Sequence, residues 1–258
     1  MLEESFKAKL KSGEPVVGCF ASIESATTVE LLALAGMDFV MLDGEHNPID
    51  PGIAATMFRA ADGIGVPALA RVGENQQQVI AKYMDAGCLG VMIPMVNNGP
   101  DALRVVQSVK YPPEGKRGLA SVRANNYGMA GPSGEYVEKA NQRTVVIVQI
   151  ETMDGVEHAD EIVATEGVDV VFLGPSDLSV ALGVPGQGKH QIVLDTIEAL
   201  TKKIVAAGKV SGTIARAPED YRYWRDRGVG LFLTGANTLL GAAASEYVQE
   251  IHAIEEGR

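Results

Sequence analysis

Short runs of apolar, often β-branched residues recur along the chain and alternate with stretches of helical periodicity. Eight such runs are visible, at 16–22, 38–43, 66–72, 89–94, 144–150, 168–173, 209–214 and 229–234. Apolar residues at helical spacing lie between them, for example at 26–36, 75–86, 99–109, 191–207 and 235–255. Continuous apolar strands that alternate with helices are typical of a parallel sheet covered by helices. Eight strands are the number that closes a barrel, so the pattern predicts an α/β fold of the TIM (β/α)₈ type.

An open, doubly wound sheet is the competing architecture. The nucleotide-binding pattern G-x-G-x-x-G is absent after the first strand, which favours the barrel. Glycine recurs where predicted helices give way to strands, in AGMDF, IGVPA, AGCLG, EGVDV, AGKVS and RGVGL. Glycine at such a junction adopts the left-handed conformation that ends a helix, so the recurrence indicates a repeated βα unit.

The length of 258 residues fits one barrel domain that spans 1–258. Residues 110–143 break the rhythm, because they are rich in Gly, Pro and Asn and too long for a plain connection. Segments of this kind are usually functional or flexible.

Composition and charge narrow the class of protein. The formal net charge is −11 and no basic cluster is visible in the sequence, which argues against binding to nucleic acid. No apolar run reaches the roughly 20 residues that span a bilayer. The N-terminus lacks a signal-peptide core, and Cys19 and Cys88 form neither a disulfide framework nor a zinc motif. We therefore expect a cytoplasmic protein.

Polar side chains gather where the predicted strands end. They are Asp43, Gly44, Glu45 and His46 after the second strand, Arg71 at the end of the third, Gln149 and Glu151 around the end of the fifth, and Gly174, Pro175, Ser176 and Asp177 after the sixth. Active sites of barrels lie at the carboxyl ends of the strands. The concentration of polar residues at this end of the predicted barrel therefore indicates an enzyme.

Glu151 and Asp177 follow adjacent predicted strands, so their carboxylates can converge. Two carboxylates with open positions beside them suit Mg²⁺ or Mn²⁺ together with a chelating 2-keto acid. Asp177 could instead cap the helix that begins in GPSDLSVAL, and Glu151 could interact with a helix dipole. The position of the pair on neighbouring strand ends favours the metal interpretation.

His46 follows Asp43 by three residues, close enough for the carboxylate to orient the imidazole. Such a pair can exchange a proton near neutral pH, although an ordinary loop histidine is the simpler alternative. Arg71 ends an apolar strand, where a buried guanidinium needs a partner. Arg71 could pair with a loop acid or hold a developing enolate oxygen.

An imine mechanism would need a lysine at the mouth of the barrel. Lys209 lies at the start of the seventh predicted strand, which is the opposite end, and Lys116 and Lys189 lie in loops. The lysine positions therefore favour a metal route over an imine route.

Six segments form a series that covers nearly the whole chain: LDGEHNPID (42–50), ARVG (70–73), VMIPMVNN (91–98), YPPEGKRG (111–118), VQIET (148–152) and FLGPSDLS (172–179). The combination of LDGEH, QIET and GPSDLS is specific. On these segments the chain resembles the HpcH/HpaI family of class II pyruvate-dependent aldolases, which act on 4-hydroxy-2-oxoheptanedioate or on 2-keto-3-deoxy sugar acids.

The resemblance implies a barrel of the phosphoenolpyruvate/pyruvate type, a last helix exchanged between subunits, and a hexamer built as a trimer of dimers. It also implies a role for each matching residue. Glu151 and Asp177 would bind the metal, His46 with Asp43 would be the acid/base element, and Arg71 would contact the keto or enolate oxygen. Gln149, Gly174, Pro175 and Ser176 would line the pyruvate pocket, and Leu119 would border the acceptor aldehyde.

The implied reaction is reversible cleavage of a 4-hydroxy-2-keto acid into an aldehyde and pyruvate, or a related 2-keto acid such as hydroxypyruvate. The implied metal is Mg²⁺ or Mn²⁺ in first place and Co²⁺, Zn²⁺ or Ni²⁺ in second. Cys19 on the first strand would line the acceptor pocket beside Leu119. Arg123 or Arg216 could bind a distal carboxylate of the acceptor.

Three other functions remain open on the same fold. A citrate-lyase-like acyl-CoA lyase is disfavoured by the D-G-E-H segment and by the lack of a basic surface for CoA phosphates. A decarboxylase of oxaloacetate-type acids would form the same enolate. A non-enzymatic barrel that binds a metabolite is disfavoured by the intact set of His46, Arg71, Glu151 and Asp177.

Overall fold

A closed barrel of eight parallel strands forms the centre of the computed structural model, which describes residues 2–129 and 131–256. Each strand pairs with the next one in chain order, and the last strand pairs with the first. The strands are β1 Val16–Ala21, β2 Phe39–Asp43, β3 Ala68–Arg71, β4 Gly90–Ile93, β5 Val145–Ile150, β6 Val170–Leu173, β7 Val210–Ile214 and β8 Val229–Gly235. The predicted TIM barrel and all eight predicted strands are confirmed.

Helices surround this barrel. They are α1 Leu2–Ser12, α2 Ala26–Leu34, α3 Pro51–Ile64, α4 Gln77–Ala86, α5 Gly99–Val109, α6 Ser133–Arg143, α7 Met153–Glu157, α8 Ala159–Ala164, α9 Pro175–Ala181, α10 Gln191–Ala206, α11 Pro218–Arg225 and α12 Ala236–Glu255, with a 3-10 helix at Arg123–Gly128. The six junction glycines, at 36, 65, 87, 167, 208 and 228, have φ between +73° and +107°. This is the left-handed conformation predicted for them.

Alternation along the strands separates the barrel interior from the layer beneath the helices. Phe39 and Met41 pack inside the barrel, whereas Val40 and Leu42 pack in the layer between strands and helices. At the amino end, Phe6 of α1 covers the interior, with its ring centroid 5.2 Å from that of Phe39. The same period of two continues to the carboxyl ends, where the inward positions are polar.

The segment 110–143 is more ordered in structure than its composition predicts. It contains the 3-10 helix and an eleven-residue helix, α6. The helical pattern of α6 is weak because Tyr136, Ala140 and Asn141 are its buried residues and its other side chains are polar or small. The expectation of a long irregular loop is therefore wrong for 133–143.

Helix α12 does not bury its apolar side chains in this chain. Ala236 is buried, but Leu239, Leu240 and Tyr247 are exposed. Leu34 on α2, another outer helix, is also 75% exposed. Among the described helices, none is long and apolar enough to cross a membrane.

Gly18 offers a test of the barrel packing. A Cβ at Gly18 would lie 2.5 Å from the ring of Phe39, which is fully buried. We expect Gly18→Ala to lower the free energy of unfolding by about 1–3 kcal/mol through overpacking, measured by urea denaturation. Gly134→Ala is the control, because nothing lies within 4 Å of its added Cβ. Equal stability of the two variants would contradict the packing described.

Candidate active site

A buried ion pair between neighbouring strands organises the carboxyl end of the barrel. The β2–β3 register places Asp43 opposite Arg71. Arg71 Nε donates to Asp43 Oδ1 at 2.9 Å and Nη2 donates to Oδ2 at 2.8 Å. The guanidinium also lies 4.4 Å from the ring centroid of Phe20. This bidentate geometry fixes the plane of the guanidinium.

Asp43 holds the turn after β2, but it does not hold the imidazole of His46. Its Oδ1 accepts the backbone N–H groups of Glu45 and His46 at 3.2 and 3.4 Å. The His46 side chain is 61% exposed, and its Nε2 lies 3.6 Å from Glu45 Oε2. The expectation that Asp43 orients the His46 ring is therefore wrong within this chain, because the turn directs the ring toward Glu45.

The pKa of Asp43 lies below its ordinary value. Burial alone would raise this pKa, but the hydrogen bonds and charge of Arg71 and the two backbone N–H groups outweigh burial. The environment of Asp43 therefore favours its charged form, which pairs with Arg71.

Glu45 is a site residue to which the sequence analysis gave no role. Arg71 Nη1 lies 3.2 Å from its Oε2. Burial raises the pKa of Glu45, Arg71 and His46 oppose that rise, and the charges of Asp43 and Asp177 add to it. Glu45 therefore lies near the charges of both Asp43 and Asp177 and joins them in one acidic cluster.

Glu151 is buried directly beyond β5. Its Oε1 accepts the backbone N–H of Met95 at 2.9 Å, and its Oε2 accepts a short hydrogen bond from Gln149 Nε2. The pKa of Glu151 is raised to about 7. Burial is the main cause, the Met95 N–H opposes the rise, and the charges of Asp177 and Glu45 add to it. A Cβ at Gly174 would lie 2.9 Å from Glu151 Oε2, so the glycine keeps this side of the carboxylate open.

Met95 was also missed by the sequence analysis. It follows β4 in a left-handed conformation with φ of +51°, which is uncommon outside glycine. The conformation accompanies the hydrogen bond from its N–H to Glu151. The segment VMIPMVNN carried the signal, but a methionine side chain gives no hint of a backbone role.

Asp177 lies in the first turn of α9, at the end of the neighbouring strand β6. The residue at the cap of this helix is Gly174, and no side chain caps it with a hydrogen bond. The capping interpretation of Asp177 therefore loses its support. Pro175 has no N–H, so Ser176 and Asp177 present the first free amides of the helix. Ser176 Oγ accepts a hydrogen bond from Arg216 Nη2 at 3.3 Å.

The donor set suits a hard divalent cation. Besides burial, the negative charges of Asp177 and Glu45 raise the pKa of Glu151. A bound cation would offset the repulsion between these carboxylates. Gln149 Oε1 is buried without a hydrogen-bond partner among the described residues, and Glu45 Oε2, although ion-paired with Arg71, accepts no hydrogen bond there. No cluster of three or more His, Cys, Asp or Glu side chains arranged to hold a metal ion is found in the described ranges. Any cation here would thus rely on two carboxylates with substrate and water.

Two of the three residues predicted for the acceptor pocket, Cys19 and Arg123, lie elsewhere in a single chain. Cys19 is fully buried in the layer between strands and helices, because it alternates with the inward-facing Phe20. Arg123 donates to Ala86 O at 3.0 Å, at the amino end of the barrel. Leu119 is 48% exposed, in a segment that contacts the outer helix α4 through a hydrogen bond from Gln77 to Lys116 O. Cys19 and Arg123 were therefore misplaced, and a role for Leu119 stays a prediction.

Two of the lysines considered for an imine route contact other groups. Lys209 Nζ donates to Thr165 O and Val168 O at the amino end of the barrel. Lys189 Nζ pairs with Asp220 at 2.7 Å, beside α11.

An acidic barrel mouth with one paired arginine suits an enzyme that binds a cation, and comparisons with known proteins identify the family. The HpcH/HpaI aldolase/citrate lyase family model matches residues 16–240. A 5-keto-4-deoxy-D-glucarate aldolase from Salmonella paratyphi A is 38% identical over 238 residues, covering 92% of this chain and 91% of the relative. The chain belongs to the HpcH/HpaI aldolase/citrate lyase family and is a carbon–carbon lyase of the aldolase type.

Solved structures agree with this assignment. A HpcH/HpaI aldolase/citrate lyase family protein from Burkholderia cenocepacia J2315 has a TM-score of 0.91 at 32% identity, covering 96% of this chain and 99% of the other. The citrate synthase SbnG has a TM-score of 0.86 at 29% identity, covering 97% of both chains. Citrate lyases match at 16% identity or less and share the fold alone.

The raised pKa of Glu151 predicts how stability depends on pH in protein treated with EDTA. The folded state binds the Glu151 proton more tightly than the unfolded state, whose glutamate has a pKa of 4.5. This contribution therefore falls as pH rises from about 4.5 to about 7, by up to about 3 kcal/mol.

We expect Glu151→Gln to remove this part of the dependence, measured as the difference in urea unfolding free energy between pH 5 and pH 8. Glu166→Gln, which changes a charge at the amino end of the barrel, is the control. The same pH dependence in all three proteins would contradict the environment assigned to Glu151.

Proposed function

We propose that this chain catalyses the reversible aldol cleavage of a 4-hydroxy-2-keto diacid such as 5-keto-4-deoxy-D-glucarate. Counted from the other end, that substrate is a six-carbon 2-keto acid with a hydroxyl at C4 and a second carboxylate. Cleavage between C3 and C4 gives pyruvate and a three-carbon aldehyde acid. The substrate rests on the name of the relative at 38% identity. The chemistry rests on Glu151 and Asp177 beside the Asp43–Arg71 pair, which is the observation that carries the proposal.

We infer that Glu151 and Asp177 hold a divalent cation. Carboxylate oxygens favour Mg²⁺ or Mn²⁺, with Co²⁺, Zn²⁺ and Ni²⁺ as weaker candidates. When bound, the cation supplies electrostatic stabilisation of negative charge on the keto oxygen of the substrate.

The side chains around this position have complementary tasks. Arg71 is held by Asp43 on its Nε and Nη2 and lies 3.2 Å from Glu45 Oε2 through its Nη1. Its second N–H groups on Nη1 and Nη2 are directed to the keto oxygen in this proposal. The free amides of Ser176 and Asp177 suit the carboxylate of the 2-keto acid. Gln149, through its unpartnered Oε1, lines the same pocket.

The bond change requires one proton acceptor and one later proton donor. The C4 hydroxyl gives its proton to His46 or to a water, the C3–C4 electron pair moves toward the keto group, and the aldehyde departs. The enolate then takes a proton at C3 and becomes pyruvate. His46 suits the acceptor role because its ring is exposed at the mouth and lies beside Glu45.

A diacid substrate needs a cation for its distal carboxylate, and Arg216 is the best candidate. It reaches Ser176 from the end of β7, and it lines a pocket of about 240 Å³ together with Lys189 and Pro175. Arg123, the other candidate named from the sequence, is at the far end of the barrel.

The exposed apolar side chains of α12 support an assembly of several copies. Leu239, Leu240 and Tyr247 would be buried if α12 packed against the barrel of a neighbouring copy, beside exposed residues such as Leu34 of α2. We infer an oligomer with exchanged last helices, a hexamer by family resemblance.

The metal assignment predicts the effect of two conservative substitutions. We expect Glu151→Gln and Asp177→Asn each to reduce pyruvate release from 5-keto-4-deoxy-D-glucarate by at least about a hundredfold, because each removes a charged ligand. His46→Ala should lower kcat without weakening metal binding. Pyruvate is followed with lactate dehydrogenase, and Mn²⁺ affinity is followed by electron paramagnetic resonance. Full activity and unchanged Mn²⁺ affinity in the first two variants would exclude the ligand assignment.

The acceptor assignment predicts a selective effect of Arg216→Gln. We expect KM for the diacid to rise about tenfold or more through loss of a charge-assisted contact, with little change for a 4-hydroxy-2-keto acid that lacks the second carboxylate. Arg222→Gln, on the outside of α11, is the matched control. An equal loss for both substrates would show that Arg216 acts on Ser176 rather than on the acceptor.

A further inference from the structure

A second cavity lies at the amino end of the barrel, opposite the active site. It has a volume of about 520 Å³ and lies among α3, α4, the 3-10 helix and α6. Its inner wall includes Leu89 and Thr144, the residues directly before β4 and β5. None of the site residues described above at the carboxyl ends lines this cavity.

Basic side chains dominate the lining. Among the described residues, the acid that lines the cavity is Asp62. The basic residues that line it are Arg59, Arg117, Arg123, Lys139 and Arg143. Asp85 pairs with Arg117 and Glu135 lies 4.0 Å from Lys139, which still leaves more basic than acidic groups. In a chain of formal net charge −11, this concentration of positive charge is unusual.

The buried side chain of Arg117, in this wall, has an N–H group without a hydrogen-bond acceptor in the described structure. Its side chain is 2% exposed, its Nη2 donates to Asp85 Oδ1 at 2.7 Å, and its guanidinium lies 4.7 Å from the ring centroid of Tyr111. Its Nε is buried without a hydrogen-bond partner in the described structure. A buried, charged donor in this condition is costly, and an oxyanion in the cavity would supply the missing acceptor.

Arg123 is fixed on the opposite wall. Its Nη1 donates to Ala86 O at 3.0 Å and its Nη2 pairs with Asp62. Gly87 makes room for this arrangement, because a Cβ there would collide with Nη1. The positive charge of Arg123 is therefore preorganised at the cavity.

The 3-10 helix that carries Arg123 is held in a strained shape. Asn126 and Tyr127, both on the cavity wall, adopt φ of +52° and +58°. The buried Asn125 enforces the turn, since its Oδ1 accepts N–H groups of Val122 and Gly128 at 2.9 and 3.0 Å. Strain of this kind is found where a structure holds groups for a ligand.

We propose that this cavity binds a small multivalent oxyanion, a molecule with several phosphate or carboxylate oxygens. Arg117 and Arg123 supply fixed donors, and the exposed Arg59 and Lys139 supply further charge at the rim. Because the cavity is separate from the active site, the anion binds together with the 2-keto acid and does not compete with it.

The test is calorimetric titration of the intact protein with inorganic phosphate and with tricarballylate, a tricarboxylate without a keto or hydroxyl group. Each titration is run with the active site empty and again with saturating pyruvate and Mg²⁺, which keep the active site occupied. The variant is Arg59→Gln/Lys139→Gln, whose exposed side chains lie outside the active site. Lys202→Gln/Arg222→Gln changes the net charge equally on other helices and is the control.

We expect at least one anion to bind the wild type and the control equally and the variant about tenfold more weakly, with thermal stability retained in all three. Stronger binding of phosphate would assign a phosphorylated ligand, and stronger binding of tricarballylate a carboxylate ligand. Three results would overturn the proposal: no binding of either anion, equal affinity for the variant and the control, or binding that pyruvate abolishes.

Discussion

At the carboxyl end of the barrel, the guanidinium of Arg71 lies among four carboxylates, those of Asp43, Glu45, Glu151 and Asp177. Arg71 neutralises Asp43 through two hydrogen bonds and Glu45 in part. Glu151 is buried and Asp177 is exposed beside it; burial, together with the charges of Asp177 and Glu45, raises the pKa of Glu151 to about 7. A carboxylate that is buried near other carboxylates is costly to ionise, and a bound cation would offset that cost. Neighbouring residues maintain this arrangement. Gly174 leaves one side of the Glu151 carboxylate open, and the backbone N–H of Met95 orients that carboxylate through a hydrogen bond.

The barrel produces this arrangement through its simplest regularity. The alternation that sends Phe39 and Met41 inward also sends Asp43 inward, and the β2–β3 register then sets it against Arg71. The polar residues at these strand ends are buried, and Asp43 and Arg71 offset the cost of burial by pairing with each other. The opposite end is covered by α1 and by the connections that lead into the strands. To one side of that end lies the basic cavity, among α3, α4 and α6.

The sequence allowed the barrel, all strands and the residues at their carboxyl ends to be predicted, because each depends on local periodicity. Cys19 was misplaced although alternation with Phe20 would have assigned it to the outer layer. The His46 orientation could not be predicted, since a spacing of three residues does not set the direction of a ring in a turn. Arg123 and α6 depend on contacts between distant segments, as in the pairing of Arg123 with Asp62. The backbone role of Met95 has no side-chain signature at all.

The central claim is that Glu151, Asp177 and Arg71 stabilise an enolate of a 2-keto acid. The most direct measurement is exchange of the C3 protons of pyruvate into D₂O, followed by NMR with Mg²⁺ or Mn²⁺ and then with EDTA. It needs no aldehyde and so does not depend on the identity of the acceptor. We expect exchange that requires the metal, resists borohydride and is lost in Glu151→Gln. Exchange that persists in EDTA, or none with any divalent metal, would contradict the claim.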